Sequence, residues 1–596
     1  MSEVHVRSSR RTLLLFAVAI VIASVICYHR TLNFPFHFDG QQQIVDNPSI
    51  GNLSWSNFPR GPRTLVKTSW RLNYRVSGKN PLGYHLANIA IHTVSGLLLF
   101  GLVYRTLSFP NIPDRYREQA SLLAGIIALT WSVHPLQTQS VTYIIQRYES
   151  LMGMSFLLCV FCLAYSANSS RRWIWFVGCF VACYMAMVSK EVAVVLPLLL
   201  LWYDRAFISP SWKVLARNHF PLYIATFCTW LVFLPIAQKS EQSLKRFNVA
   251  YVVETSIVDG QVQEQAIGAW DYLLSQPQAI LFYLRLVLVP YGQSLDHGWR
   301  STTTFAQAAL PGLFVLLLVG VTIWSMVKYP RWSFLGGWFF LILAPTSSIL
   351  PIKDVAVEHR MYLPSAAVLA FLVLIGFEGL CRHYGSQKHS ITQVRRGILF
   401  GGITLALIFG GVTLSRNEVY RSGFSLWTDV VAKAPEFARG YYGLARAYVD
   451  EEQYEPAIAP LQRALELDPA YAEAYVTLGR IVRTSQPDYA TQLFATAVKV
   501  APDYSEAHNN LGAMLTQKKP EVALEHYQQA ILLNERNADA HNNIANLLAR
   551  SGRLPEAIHH YEVALSIRPD FELAAMNLKT VRQLAAAQDR EQPNSN

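Results

Sequence analysis

Apolar runs recur eleven times before residue 415, near 12–28, 86–107, 120–136, 150–166, 173–188, 192–203, 219–237, 308–327, 333–350, 361–381 and 397–415. About 20 apolar residues in helical form cross the hydrocarbon of a bilayer, and backbone there must satisfy its own hydrogen bonds. The pattern predicts an all-α, polytopic membrane protein of about 11 transmembrane helices. A twelfth run, AILFYLRLVLVPYG (279–292), is short and carries Arg285 at its middle, which predicts an interfacial or re-entrant helix. Composition fits a membrane chain with something attached, since 52% of residues are hydrophobic and only 15% charged. The N-terminal MSEVHVRSSRRTLLLFAVAIVIASVICYHR has no obvious small-residue cleavage site, so it reads as a retained first helix.

Charge divides the chain at about residue 415. Residues 416–596 carry 18 Lys+Arg and 23 Asp+Glu, whereas residues 1–415 carry 33 and 17. A basic membrane part suits anionic lipid head groups or a lipid-linked phosphate better than nucleic acid. Arg and Lys also concentrate before the first run and in alternate short loops (Arg115, Arg117; Arg171, Arg172; Lys213, Arg217; Lys328, Arg331; Arg395, Arg396), which predicts that those loops are cytoplasmic. An odd number of spans then puts the C-terminal part on the other side. All seven cysteines lie in apolar runs, so neither a disulfide framework nor a zinc site is expected, and the Cys159/Cys162 spacing reads as packing.

From Pro435 a second period begins. Pro435, Pro469, Pro502, Asn534 and Pro569 are 32 to 35 residues apart, the period of tetratricopeptide repeats. Between them Ala457, Leu461 and Ala464 in the first repeat, and Ala557, Tyr561 and Ala564 in the fourth, alternate large and small as nested helix pairs require. The expected organisation is a membrane domain 1–415 with an external loop 29–85, then a solenoid 416–586. Its repeats fall near 436–469, 470–502, 503–534 and 535–569, with a solvating helix 570–586 and a disordered tail 587–596.

With only 17 acids in the first 415 residues, those beside predicted span ends mark a site by default. They come in mixed groups: FHFDG around Asp39, HPLQTQSVTYIIQRYES (134–150) with His134, Gln137, Arg147 and Glu149, SKE with Lys190 and Glu191, LDHGW with Asp296 and His297, and KDVAVEHRMYLP (353–364) with Glu358, His359, Arg360 and Tyr362. Carboxylate, imidazole and guanidinium together suit a phosphate-bearing substrate whose attacking hydroxyl gives its proton to a carboxylate. Asp39 is also placed to cap a short helix at DGQQQIV, and Glu149 to complement a helix dipole.

The blocks FHFDGQQQIVDNP, HPLQTQSVTYIIQRYESL, SKEVAVVLPLLLLWYD, LRLVLVPYGQSLDH and EHRMYLPS, in this order and followed by tetratricopeptide repeats, resemble the transmembrane-and-tetratricopeptide O-mannosyltransferases, the TMTC family, and their bacterial relatives. That family belongs to the GT-C glycosyltransferase superfamily. The resemblance implies a polyprenyl- or dolichyl-phosphate-linked sugar as cosubstrate, a protein hydroxyl as acceptor and a site on the lumenal or periplasmic side. It implies that Asp39 is the catalytic base. Where relatives often have a second acid, this chain has Gly40, which makes a metal-free site the expectation; where they often have an acid further on, it has Gln139.

The chemistry so implied is inverting displacement at the anomeric carbon. Arg360, Lys190, Arg147 and Arg285 would neutralise the leaving phosphate, and His134, Gln137, Glu149, Glu191, Asp296, His297, Glu358, His359 and Tyr362 would bind substrate. Phe36, Phe38 and Tyr362 would exclude water. In the repeats, AHNNLGAML (507–515) and AHNNIANLL (540–548) place Asn510 and Asn543 where a groove lines, similar to the asparagine ladder of the cytosolic O-GlcNAc transferase, which implies peptide binding. A bacterial inner-membrane location with a periplasmic site and solenoid is expected, with the endoplasmic reticulum as the alternative. Other readings are transfer of an oligosaccharide, a glycan or lipid acceptor, or a non-catalytic scaffold or lipid-linked-sugar transporter.

Overall fold

The computed structural model describes residues 2–47, 50–51, 61–233, 252–258, 261–299, 304–348, 351–352, 354–384 and 388–591. The chain forms two units, one of residues 1–252 and 266–433 and the other of residues 253–265 and 434–596. The boundary thus falls after Lys433, later than the charge shift at 415. Its cause is the helix Lys388–Glu418, which runs unbroken through residue 415, and the following helix Gly423–Lys433, which also belongs to the first unit.

Among the described residues, six helices are long and apolar enough to cross a membrane: Arg10–Asn33, Pro81–Leu107, Ile144–Ser166, Phe305–Lys328, Pro364–Tyr384 and Ile391–Arg421. A seventh is counted if Ala120–Ser132 and Pro135–Val141, bent by 52°, form one broken span. This corrects the expectation of about eleven. The other apolar runs form helices that are too short: at ~1.5 Å per residue, the 14 residues of Pro330–Leu343 and the 16 of Arg172–Met187 fall short of the ~30 Å hydrocarbon core. The run 192–203 breaks into a 3-10 turn and an eight-residue helix. Part of the 219–237 run lies outside the described residues. The run with Arg285 is longer than expected, a 20-residue helix Ala269–Leu288 with Arg285 in its last turn, where a cation complements the helix dipole.

Small residues let these helices close. A Cβ on Gly153 would lie 2.6 Å from the ring of Tyr362, so the helix Arg147–Ser166 and the residue that ends the turn Glu358–Met361 approach this closely because that position is glycine. The cysteines pack as expected: Cys159 and Cys179 are buried with sulfurs 3.4 Å apart, and both are free thiols.

In the second unit, helix pairs repeat from Ala438–Asp450 to Leu554–Ile567, followed by Glu572–Glu591. Ala457, Ala464, Ala490, Ala497, Ala523, Ala530, Ala557 and Ala564 are all fully buried, the small side of the alternation that nests each pair. The last helix reaches Glu591, so 587–591 is helical where a disordered tail was expected; 592–596 lie outside the described residues. One feature is not helical. Val252–Val258 and Gln261–Ile267 pair as a two-stranded sheet. The first strand alternates Val253, Thr255 and Ile257 ahead of Asp259-Gly260, a hairpin signal that the all-α expectation passed over.

Candidate active site

The polar residues of the first unit gather where its helices are interrupted. Before the helix Arg147–Ser166 the chain makes two short 3-10 turns, Pro135–Gln137 and Ile144–Gln146, and others at Glu191–Val195 and Glu358–Met361 precede further helices. Such turns leave backbone groups free of the helical ladder and present side chains at helix ends.

Asp39 follows Phe38, whose φ of 44° is left-handed, a conformation a bulky residue rarely adopts. Two contacts hold it: the His37 ring nitrogen Nε2 lies 2.7 Å from the carbonyl of Tyr420, and Phe38 packs edge-on against Trp427 with ring centroids 5.7 Å apart. The N-cap of the following turn Gln41–Val45 falls on Gly40, not on Asp39. Asp39 lies half-buried beside Tyr143. Burial first, then the Asp39 carboxylate, push that phenol well above its ordinary range; Asp354 acts on it in the same sense. The phenol beside Asp39 is therefore neutral.

Next to this group stand two ion pairs. Glu191 accepts from Arg63 at both ends, Nε to Oε1 at 2.9 Å and Nη2 to Oε2 at 3.3 Å, and the Arg63 guanidinium lies 5.1 Å over the Tyr148 ring. Arg63 has a φ of 69°; it and Phe38 are the non-glycine residues with positive φ among the described residues of this unit. Lys190 donates to Glu149, which is almost fully buried. Lys67, one turn beyond Arg63, is shifted below the usual lysine range by burial and by the neighbouring Arg63 and Arg71. Arg63 and Lys67 escaped the sequence reading because 29–85, which has no long apolar run, is expected to be a loop, whereas Thr64–Ser77 is a helix with Arg63 at its N-cap; Arg63, Lys67, Arg71 and Arg75 at every fourth position were the available signal.

His359 joins the same neighbourhood. Its backbone N–H donates to Gln139 Oε1 at 2.7 Å and its Nδ1 lies 3.1 Å from the same oxygen, while Gln139 Nε2 donates to the carbonyl of Leu295. That chain makes Nδ1 the protonated nitrogen and leaves Nε2 as an acceptor. Desolvation first, then Lys190 and Arg360, hold the imidazole well below its usual pKa, so it is neutral. Gln139 thus acts as an orienting amide, a role that a carboxylate at the same place would change.

Several expected ligands are instead struts. Arg147 is fully buried and donates to Asn88 Oδ1 (2.6 Å), Ser69 Oγ (3.1 Å), Asn73 Oδ1 (2.5 Å) and the carbonyl of Tyr84 (2.9 Å), so its guanidinium is spent on protein and cannot serve a donor phosphate. Arg360 gives three of its hydrogen bonds to the carbonyls of Thr346, Val355 and Asp354 and clamps that loop, although it also borders a small cleft with Glu149. Arg285 is exposed, stacked 5.0 Å over Phe282.

Glu358 is buried, and its carboxylate accepts from Ser294 N–H, His297 Nε2 and Gln293 Nε2 at 2.6, 3.1 and 3.1 Å, pinning the 293–297 loop. Asp296 caps the same loop by accepting from Gly298 N–H at 3.0 Å. His134 is buried with Nε2 3.0 Å from the Val287 carbonyl and Nδ1 accepting from Leu136 N–H, so both nitrogens are used. Gln137 is buried and donates to Ser365. Tyr362 lies in the core, its hydroxyl 3.0 Å from His92 Nδ1, and forms no open wall.

In the second unit, Asn543 Nδ2 donates to Asn509 Oδ1 at 3.0 Å, across one repeat. Asn510 instead donates to Glu506 O within its own helix at 2.7 Å. The cross-repeat amide contact therefore pairs Asn543 with the first asparagine of the earlier triplet, not with Asn510, because Asn510 is turned back along its helix.

Tetratricopeptide repeat families match residues 445–482 and 513–570. Protein O-mannosyl-transferase Tmtc3 of Drosophila melanogaster is 26% identical over 541 residues, covering 79% of this chain and 57% of its own length. Protein O-mannosyl-transferase TMTC1 of Homo sapiens is 24% identical over 538 residues, covering 78% of this chain and 57% of its own length. The chain thus spans under three-fifths of these two relatives. Among solved structures, YrrB, titled a tetratricopeptide protein with an unusual peptide-binding site, is 25% identical with a TM-score of 0.23, covering 27% of this chain and 84% of that one.

Proposed function

The chain is a TMTC-like integral membrane protein with a tetratricopeptide solenoid, and on that premise we propose that it transfers a single sugar, mannose by analogy with these relatives, from a polyprenyl-phosphate carrier to Ser or Thr hydroxyls of a protein. The observation that supports this reading is the placement of Asp39 beside Tyr143 and in the field of Tyr148, the ring over which Arg63 of the Arg63–Glu191 pair lies.

In the proposed step Asp39 takes the proton of the acceptor hydroxyl. The hydroxyl oxygen bonds to the anomeric carbon, the bond from that carbon to the phosphate oxygen breaks, and the polyprenyl phosphate leaves with the electron pair, inverting the configuration. Arg63, Lys67 and Lys190 meet the phosphate charge, a role moved away from Arg147. The acceptor nitrogen of His359 receives a sugar hydroxyl. The solenoid holds the acceptor polypeptide.

The test supplies the full-length protein with polyprenyl-phosphate mannose or with a nucleotide mannose, and an exported Ser/Thr-rich acceptor. The reading expects acceptor mass to rise by one hexose with the lipid donor alone, and an anomer opposite to the donor's by NMR. Direct use of the nucleotide sugar, or retention of configuration, would sink it. Binding of partners to the repeats with no turnover of either donor would favour a scaffold.

A further inference from the structure

A second cavity lies at the far end of the same helices. It measures about 820 Å³ and its walls are apolar, formed by Leu99, Leu102, Phe334, Trp338, Ala370 and Leu374. Its mouth is basic, with Arg115, Lys328, Arg331 and Arg382 around a single acid, Glu378. Glu378 is engaged by Arg115 at 3.1 Å, Arg382 at 3.4 Å and the Tyr116 hydroxyl at 3.0 Å. Lys328 and Arg331 have no hydrogen-bond or ion-pair partner among the described residues. Four cations around one carboxylate leave a net positive mouth on a greasy slot.

We propose that this cleft binds one anionic glycerophospholipid, its phosphate at Lys328 and Arg331 and an acyl chain along Trp338 and Ala370. Apolar walls ending at cations that are unpaired among the described residues match that amphiphile by shape and by charge. The helix Pro330–Leu343 separates the two sites: its N-terminus carries Arg331 at the cleft mouth, and beyond its C-terminus Thr346 meets Arg360. Fourteen residues of helix set them apart by ~20 Å. A lipid seated here keeps its phosphate ~20 Å from the Arg360 loop, as a resident lipid and not the sugar donor. The inference does not depend on the catalytic reading.

The experiment is native mass spectrometry of the full-length protein, delipidated and titrated with phosphatidylglycerol, phosphatidylcholine or polyprenyl phosphate. Two basic contacts predict a preference of about tenfold or more for phosphatidylglycerol over phosphatidylcholine. Lys328→Gln with Arg331→Gln, in protein whose melting temperature is unchanged, lowers phosphatidylglycerol retention to the phosphatidylcholine level. Ala370→Trp, which fills the slot, lowers retention of both lipids. Equal retention of the two phospholipids, an unchanged double variant, or displacement of phosphatidylglycerol by an equimolar amount of polyprenyl phosphate overturns the proposal.

Discussion

Phe38, next to Asp39, and Arg63, paired with Glu191, hold left-handed backbone, and each such residue costs about 1–3 kcal/mol. The Arg63–Glu191 pair does not repay it, since both side chains are nearly half exposed and such pairs contribute ~0–1 kcal/mol. Arg63→Gly relieves the backbone while removing the cation, so thermal unfolding should hold or rise as sugar transfer falls; a parallel loss of both would make Arg63 a structural residue only. Arg147 is the opposite case. Arg147→Met strands Asn88, Asn73, Ser69 and the Tyr84 carbonyl, each at ~1–3 kcal/mol, and should lower the melting temperature sharply even in protein with no substrate. Gly40→Asp should fold normally: its φ is −65° and an added Cβ meets only Phe36 at 3.7 Å, so the missing second acid is not dictated by the backbone. Scarce charges near predicted span ends were legible in the sequence. Which of them face substrate was not, because Arg147 is fixed as a strut by partners 59 to 78 residues away.

At the level of elements, hydrophobic periodicity identified the long spans and the repeats, but run length alone overcounted the spans. Whether an apolar run stays helical for a full crossing depends on breaks such as the 3-10 turn at Glu191–Val195, which packing decides. The repeats also carry a pairing that spacing did not disclose. His508 and His526 place their Nδ1 atoms 3.1 Å apart, and one repeat later His541 and His560 do so at 3.0 Å. His508 and His541 point Nε2 at the carbonyls of Pro502 and Glu535. One ring therefore accepts at Nδ1 while its partner donates, which requires the accepting ring, His508 or His541, to be neutral. Burial first, then neighbouring histidines, depress His526, His541 and His560, while Glu525 and Glu556 oppose the shift at His526 and His560. A depressed folded pKa means the unfolded chain binds more protons. The stability these pairs contribute is complete above the ordinary value of 6.5 and is lost as pH falls through the folded values. Hydrogen exchange of the full-length protein, corrected for intrinsic rates, should show residues 505–567 losing protection on acidification below that value. A His526→Gln, His560→Gln variant should show a smaller loss.

The whole molecule comprises a membrane unit whose interrupted helices gather acids and bases, and a repeat unit of tetratricopeptide type. The fold class was legible because two periods, one of apolar runs and one near 34 residues, repeat often enough to outweigh local ambiguity. The hairpin Val252–Val258 and Gln261–Ile267 was missed because a single pair of strands leaves no such repetition. The central claim is that Asp39 accepts the acceptor's proton, and single-turnover transfer from polyprenyl-phosphate mannose tests it most directly. Wild-type protein should modify the acceptor, and Asp39→Asn, with an unchanged melting temperature and unchanged donor binding, should lose transfer by about 10²-fold or more. Full transfer by Asp39→Asn would contradict the account.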